Sequence, residues 1–205
     1  MELKEAIEKR TSIRNFSDET VDINDIREMI RLAGLAPSVN NFQPWKYIVI
    51  TNKQLMNKMA DRVMGKIRVL PIRKSIAANN IKSQVTWFST FFQNAPVVIA
   101  LAVEPYESVL EKGVDLSKEE INKSRNYPDL QSAGASIQNL LLSAVDLGYG
   151  ACWLSGPMIA HEELEELLEI SSPWKLLTFV AVGKPKSAPH AKDKPNLADN
   201  LKIFD

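Results

Sequence analysis

Residues 97–103, VVIALAV, are seven successive apolar positions with four β-branched residues among them. The run is far shorter than the ~20 residues a bilayer-spanning helix needs, and it lacks the alternation of a half-exposed strand. It therefore predicts a strand enclosed within a sheet. Three further segments have strand character: KYIVIT at 46–51, ACWLS at 151–155 and KLLTFVAVG at 175–183. Between them the apolar spacing turns helical. Leu3, Ala6 and Ile7 mark a short first helix; Ile23, Ile26, Ile30 and Ala33 mark a second, with Asp22 as N-cap. A third runs from Asn52 to about Met64, a long one carries Ile137, Leu140, Leu141, Ala144 and Val145 up to Gly148, and HEELEELLEI is an exposed helix. Helices outnumber strands and do not alternate regularly with them, so the expected class is α+β rather than a doubly wound parallel sheet.

The 205 residues, 45% hydrophobic and 24% charged, suit one domain, 1–205, with a sizeable core and room for insertions. Twenty-five basic residues balance twenty-five acidic ones, so no global field recruits nucleic acid or an anionic membrane. The charged, amphipathic MELKEAIEKR is unlike a signal peptide, and the expectation is a soluble, cytoplasmic protein with a small, locally recognised ligand. One cysteine excludes a disulfide within the chain, and two histidines exclude a His-rich metal site.

Familiar catalytic signatures are missing. GYGACW has Trp153 where a dinucleotide fingerprint needs its third glycine, and no G-x-x-x-x-G-K-[ST] phosphate loop occurs. Neither His161 nor His190 has a nucleophile context, and Cys152, between Ala151 and Trp153, reads as a packed, inert thiol. What remains is a set of donors. In KRTSIRNF, Arg10, Ser12 and Arg14 share a face if the segment is extended, and Arg10 and Arg14 share one if it is helical. Such a fork suits a phosphate or paired carbonyl oxygens; the alternative is a solvated surface cluster. APSVNNFQPW sets Ser38, Asn40, Asn41 and Gln43 between two prolines, as a ligand loop or an ordinary turn. LSGP leaves a strand through Ser155 and Gly156, where a flat ligand can approach backbone N–H groups, and Lys192 and Lys194 alternate late in the chain. A phosphate site, amide donors and a flat surface together match the parts of a flavin mononucleotide.

Two stretches fit the scheme poorly. Residues 62–95 are basic and then aromatic, with Trp87, Phe88, Phe91 and Phe92; helical spacing assigns Phe88, Phe91 and Phe92 to the core. Residues 104–128 are polar, and DLSKEEINKSRNYP suggests a short helix inside a long connection of the kind that forms lids or binding loops.

The motifs RTSIRNF, LAPSVNNFQPWKYIVI, APVVIALAV and LGYGACWLSGP, in that order over residues 2 to about 185, resemble the nitroreductase family of FMN-dependent oxidoreductases. The resemblance implies a nitroreductase-like three-layer fold, a central, mostly antiparallel sheet flanked by helices, in an intertwined homodimer. It implies that Arg10, Thr11, Ser12 and Arg14 hold noncovalent FMN, with Arg14 as the catalytic residue at the N1/C2-carbonyl edge. Pro37, Ser38, Val39 and Asn41 would come from the partner subunit, Leu154, Ser155 and Gly156 would lie along the ring near N5, and Lys192 and Lys194 would meet the phosphate. Asn79 and Asn80 are candidates for the amide at the far ring edge, and the 62–95 and 104–128 segments are variable insertions. The implied reaction is ping-pong hydride transfer from NADH or NADPH to a small, flat acceptor such as a nitroaromatic or quinone. Reductive dehalogenation, flavin fragmentation and non-catalytic flavin binding are the alternatives. Ala133, Gly134, Ala135 and Ser136 allow close helix packing, either at a two-fold axis or within one subunit.

Overall fold

The computed structural model of the chain describes residues 1–71, 73–188 and 200–204. Val97–Val103 forms β2, with all seven residues buried. It lies between β1 (Trp45–Ile50) and β4 (Lys175–Gly183), and β3 (Gly150–Leu154) pairs with the far side of β4. The sheet order is β1-β2-β4-β3 and every neighbouring pair is antiparallel. A bulge between Leu101 and Ala102 shifts the β2–β4 register and opposes Thr178 to Leu101.

Alternate residues of β2 serve two cores. Val97, Ile99, Leu101 and Val103 pack with α2 (Ile23–Ala33) and α6 (Pro128–Asp146), through Ile26, Met29, Ile137 and Leu140. Val98 and Ala100 face α3 (Lys53–Val69) and α7 (His161–Leu167), through Met56, Met59, Val63 and Leu164. The result is the expected α+β arrangement, a three-layer fold with helices on both faces of an antiparallel sheet. α1 (Leu3–Lys9) rests beside α6, α4 (Ile76–Thr90) packs against α3, and α5 (Lys118–Ser124) lies in the connection between β2 and α6.

Local signals set the ends of these elements. Asp22 accepts the Asn24 N–H at 2.7 Å, and Asn52 accepts that of Leu55 at 3.1 Å. Helix α3 outruns its predicted end because its buried stripe of Met56, Met59, Ala60 and Val63 continues to Ile67. Gly148, at φ 76°, takes the left-handed turn just after α6. The short helix expected within 104–128 is α5, closed by a capping box of Ser117 and Glu120.

The aromatic run departs from its expected burial. Phe91 and Phe92 are core, whereas Trp87 and Phe88 are 53% and 42% exposed. Helix α4 stops at Thr90 and a 3-10 turn follows, so Phe91 and Phe92 rotate off the face that carries Phe88. Among the described residues no helix is long and apolar enough to cross a membrane, and no group of three acidic, histidine or cysteine side chains is placed to hold a metal ion.

Candidate functional site

The RTSIR segment is extended. Ser12 forms a parallel bridge with Ala151, and the Ile13 N–H donates to the Ala151 carbonyl at 3.0 Å. The segment thus runs alongside β3, in the same direction, and Arg14 advances toward the strand's C-terminal end. Ile13 packs over Gly150 and joins the core, so Ser12 and Arg14 take the other face of the segment, while Thr11 falls on Ile13's side. Arg10 caps the C-terminus of α1. Neither Arg10 nor Arg14 forms a salt bridge among the described residues, although Arg31, Lys66 and Lys118 each do. Arg14 keeps a long contact of 3.5 Å to the Ser12 carbonyl and lies 5.5 Å from the centroid of the Phe88 ring. Two guanidiniums on one extended segment, with no ion-paired carboxylate among the described residues, suit an anionic ligand.

At the end of β3 a relay fixes the backbone. The Trp153 indole N–H donates to Thr178 Oγ1 at 2.9 Å, and the Thr178 hydroxyl donates to the Leu154 carbonyl at 2.6 Å. Because that peptide is trans, the Ser155 N–H points away from Thr178. Leu130, Leu177, Trp153, Thr178 and Ser155 line a cleft of about 560 Å³. The role of Gly156 differs in part from the sequence reading. A Cβ there would lie 2.6 Å from Ser89 Oγ and 3.1 Å from Ser89 Cα, so close packing of α4 alone demands a glycine. Helix α4 thereby brings Phe88 to Arg14 and Ser89 to Gly156 in one corner.

Asn79 and Asn80 do not reach that corner. They are exposed on the first turns of α4, roughly 12 Å along the helix from Phe88 at ~1.5 Å per residue. Gln84, one turn before Phe88 on the same helix face, is the nearer amide and was not singled out by sequence. Lys192 and Lys194 lie outside the described residues.

The 37–43 loop is bent by three left-handed residues, Asn40, Asn41 and Gln43, with φ of 47°, 55° and 52°. Asparagine tolerates that region; a glutamine there stores of order 1 kcal/mol of strain, which needs support from its surroundings. Support comes from Ser38, whose Oγ accepts the Gln43 N–H at 3.0 Å, and from Ser132 of α6, whose Oγ accepts the Val39 N–H at 3.1 Å. Pro37 and Asn41 are exposed, and Asn41 Oδ1 accepts the Gln43 amide at 3.1 Å. This loop leads into β1, whereas RTSIR lies along β3. Those are opposite edges of the sheet, roughly 14 Å apart at ~4.8 Å per strand, with the N-terminal half of α6 between them. No bond within the chain joins the two donor sets among the described residues.

The sequence profile of the nitroreductase family matches residues 7–184. The chain belongs to the nitroreductase family. Among curated relatives of this nitroreductase-family chain is an Archaeoglobus fulgidus protein provisionally named NADH dehydrogenase/NAD(P)H nitroreductase, 28% identical over 184 residues that cover 86% of this chain and 82% of that one. The crystal structure of a BluB-like flavoprotein from Clostridium difficile 630 superposes with a TM-score of 0.88 at 32% identity, covering both chains fully. A nitroreductase with bound FMN from Desulfitobacterium hafniense DCB-2 also covers both chains fully, with a TM-score of 0.74 at 21% identity, and shares the fold. The three-layer architecture is thus the nitroreductase fold, and the family makes this chain an oxidoreductase that works with a flavin.

Sequence reasoning missed Phe88, Ser89 and Thr178. A serine or threonine in an apolar element carries no period or motif; only the packing of α4 brings Phe88 and Ser89 to Arg14 and Gly156, and only the pairing of β3 with β4 brings Thr178 to Trp153 and Leu154.

Proposed function

We propose that the protein is an FMN-dependent oxidoreductase that takes hydride from NADH or NADPH and passes it to a flat acceptor, a nitroaromatic or a quinone, at one open face. The observation that carries this reading is the Arg10–Ser12–Arg14 face, free of carboxylates and anchored beside the oriented Ser155 backbone. That donor set fits the cofactor: Arg10 and Ser12 for its phosphate and ribityl chain, Arg14 for the N1/C2-carbonyl edge, and the Ser155 and Gly156 N–H groups for N5. Bound FMN would supply the hydride-accepting and hydride-releasing centre. The chain supplies the rest. With FMN bound, Arg14 would hold positive charge at its N1/C2-carbonyl edge, where reduction adds negative charge, and would favour reduction. The Thr178 hydroxyl locks the Leu154 carbonyl and hence the direction of the neighbouring N–H.

The active unit in this proposal is a homodimer. RTSIR and SVNNF occupy opposite edges of one sheet, so a site using both draws them from two chains. The small-residue run of α6 is divided: Ala133 and Ser136 are buried within the chain, Ser136 against the Tyr47 hydroxyl, while Gly134 and Ala135 stay half-exposed and available to a second copy.

The test is anaerobic mixing of the purified yellow protein with NADH and, separately, with NADPH, after chromatography of the released cofactor. Prompt bleaching by either donor, and recovery of colour on adding a quinone or nitroaromatic, is the expected result. Released FAD, or a flavin that neither donor bleaches, would refute the proposal.

A further inference from the structure

The connection between β2 and α6 builds a second polar cluster that the site above leaves unused. Tyr106 and Ser108 are buried, 4% and 5% exposed, yet both side chains are polar. The Tyr106 hydroxyl accepts the side-chain amide of Asn40. Ser108 Oγ accepts two bonds, from the Leu110 N–H at 3.2 Å and from Arg125 Nη1 at 3.0 Å. The Arg125 guanidinium also lies over the Tyr106 ring, 5.4 Å from its centroid.

The hydrogen-bond balance of this cluster is one-sided. Both hydroxyl oxygens are used as acceptors, so each proton remains to be donated. Arg125 spends one of its five N–H groups on Ser108. Among the described residues nothing accepts the others, and Arg125 has no salt bridge. The neighbouring carboxylates are engaged elsewhere: Glu107 and Glu111 lie 2.8 Å and 3.8 Å from the Lys118 ammonium, and Glu111 also accepts the Ser108 N–H at 2.7 Å. The cluster forms the floor of a cleft of about 400 Å³ whose other walls include the exposed apolar side chains of Val109 and Val114. A cationic fork and two hydroxyl donors under an apolar rim fit a planar carboxylate carried on an apolar body.

The geometry points to an anion subsite: the Arg125–Tyr106–Ser108 cleft takes the carboxylate of the electron acceptor, which is therefore a flat, apolar carboxylic acid. This rests on the proposed function for the meaning of "acceptor". It rests on the structure for location, because the subsite is bonded to Asn40, the neighbour of Asn41 in the loop assigned to the flavin.

The experiment has a binding arm and a turnover arm. Benzoate and benzamide, isosteres that differ in charge, are titrated calorimetrically into the purified protein. 4-Nitrobenzoate and 4-nitrobenzamide are compared as acceptors by kcat/KM. Charge-assisted bonds of this kind predict a preference of about tenfold or more for the carboxylate in both arms. Arg125→Gln removes the preference, and Arg125→Lys, a point charge without the fork, keeps part of it. Tyr106→Phe, which retains the ring beneath the guanidinium, weakens benzoate binding severalfold, and the last two variants carry the comparison if Arg125→Gln does not fold. Equal binding of benzoate and benzamide by the native protein, or a carboxylate preference that survives in folded Arg125→Gln, overturns the subsite. Binding needs no turnover, so an unbleached flavin combined with Arg125-dependent benzoate binding refutes the oxidoreductase reading and upholds the subsite.

Discussion

Ile13 occupies the space that a side chain at Gly150 would need: a Cβ at position 150 would lie 2.5 Å from Ile13 Cγ1 and 2.8 Å from Ile13 Cβ. The branch point of a β-branched side chain cannot swing away, so this contact seats the RTSIR segment on β3 and turns Ser12 and Arg14 to its other face. Gly150→Ala is expected to lift the segment, costing about 1–3 kcal/mol in stability as overpacking does. Flavin content per chain should fall with it, and Ile13→Ala in the same chain should restore part of both. Thermal melts and flavin absorbance read the two effects; a Gly150→Ala protein with native melting and full flavin content would refute this role.

Gly156→Ala meets Ser89 rather than open space. Rotation of the Ser89 hydroxyl relieves the 2.6 Å contact but leaves its Cα at 3.1 Å and Cβ at 3.2 Å, tighter than ordinary packing, so a cost of about 1–3 kcal/mol is expected, as for overpacking. Adding Ser89→Gly should recover part of it. If Gly156→Ala is as stable as the native protein, α4 does not close on this turn as described.

Arg14→Ala should lower the reduction potential of the flavin and slow bleaching by NADH or NADPH. Loss of one partner of a charged, partly buried pair costs about 2–4 kcal/mol in comparable cases. Arg14→Lys should recover charge without the fork. Redox titration and stopped-flow absorbance decide the matter: an alanine variant with unchanged potential and rate leaves Arg14 as no more than a cover for Phe88.

The opposite-edge placement of Arg14 and Asn41 predicts complementation between chains. In the proposed homodimer, Arg14→Ala and Asn41→Ala variants would each carry two damaged sites. A mixed dimer carries one doubly damaged site and one intact site, and should recover up to about half the native activity if the sites are independent. Mixed dimers isolated by two different tags and no more active than folded, dimeric parents would exclude the shared site.

The pair Lys66–Glu163 joins α3 to α7 and predicts how stability depends on pH. The hydrogen bond from Lys66, then one from Glu163's own backbone N–H, with the Lys66 charge adding less, hold the Glu163 carboxyl below its ordinary value, and Glu163 raises the Lys66 ammonium in return. A lowered carboxyl stabilises the fold above its ordinary pKa and loses that contribution as pH falls through the lowered value. The raised ammonium contributes below its ordinary pKa and fades only as pH climbs through the raised one. The melting-temperature gap between the native protein and Glu163→Gln should therefore be full near about pH 7 and close below about pH 4. A gap that persists unchanged to pH 3 would contradict the pairing.

Much of the candidate site was legible because its signals are local. Arg10, Ser12 and Arg14 alternate, and alternation survives as one face of an extended segment once Ile13 is pinned. Ser38 and the asparagines between prolines announce a tight loop, and the structure finds three left-handed residues there. Phe88 was less legible, because its spacing to Phe91 and Phe92 indicates a shared face only while the helix continues, and α4 ends between them. Arg125 and Tyr106 were illegible: the polar 104–128 segment has no apolar period, and its structure comes from capping boxes and from contacts with a loop more than sixty residues earlier.

The sequence by itself determined the buried central strand, helices α1, α2, α3, α6 and α7 with the Asp22 cap, and the α+β class, since each depends on periods and capping groups within a few residues of one another; α4, in the 62–95 stretch, came only with the structure. Tertiary structure alone decided that Ser89 closes on Gly156, that Phe88 lies beneath Arg14, that RTSIR and SVNNF stand on opposite sheet edges, and that Arg125 covers Tyr106 without a carboxylate. Each of these joins groups far apart in the chain, and their distance in space is set by strand order, one bulge and the ends of helices, none of which any of the residues involved encodes locally.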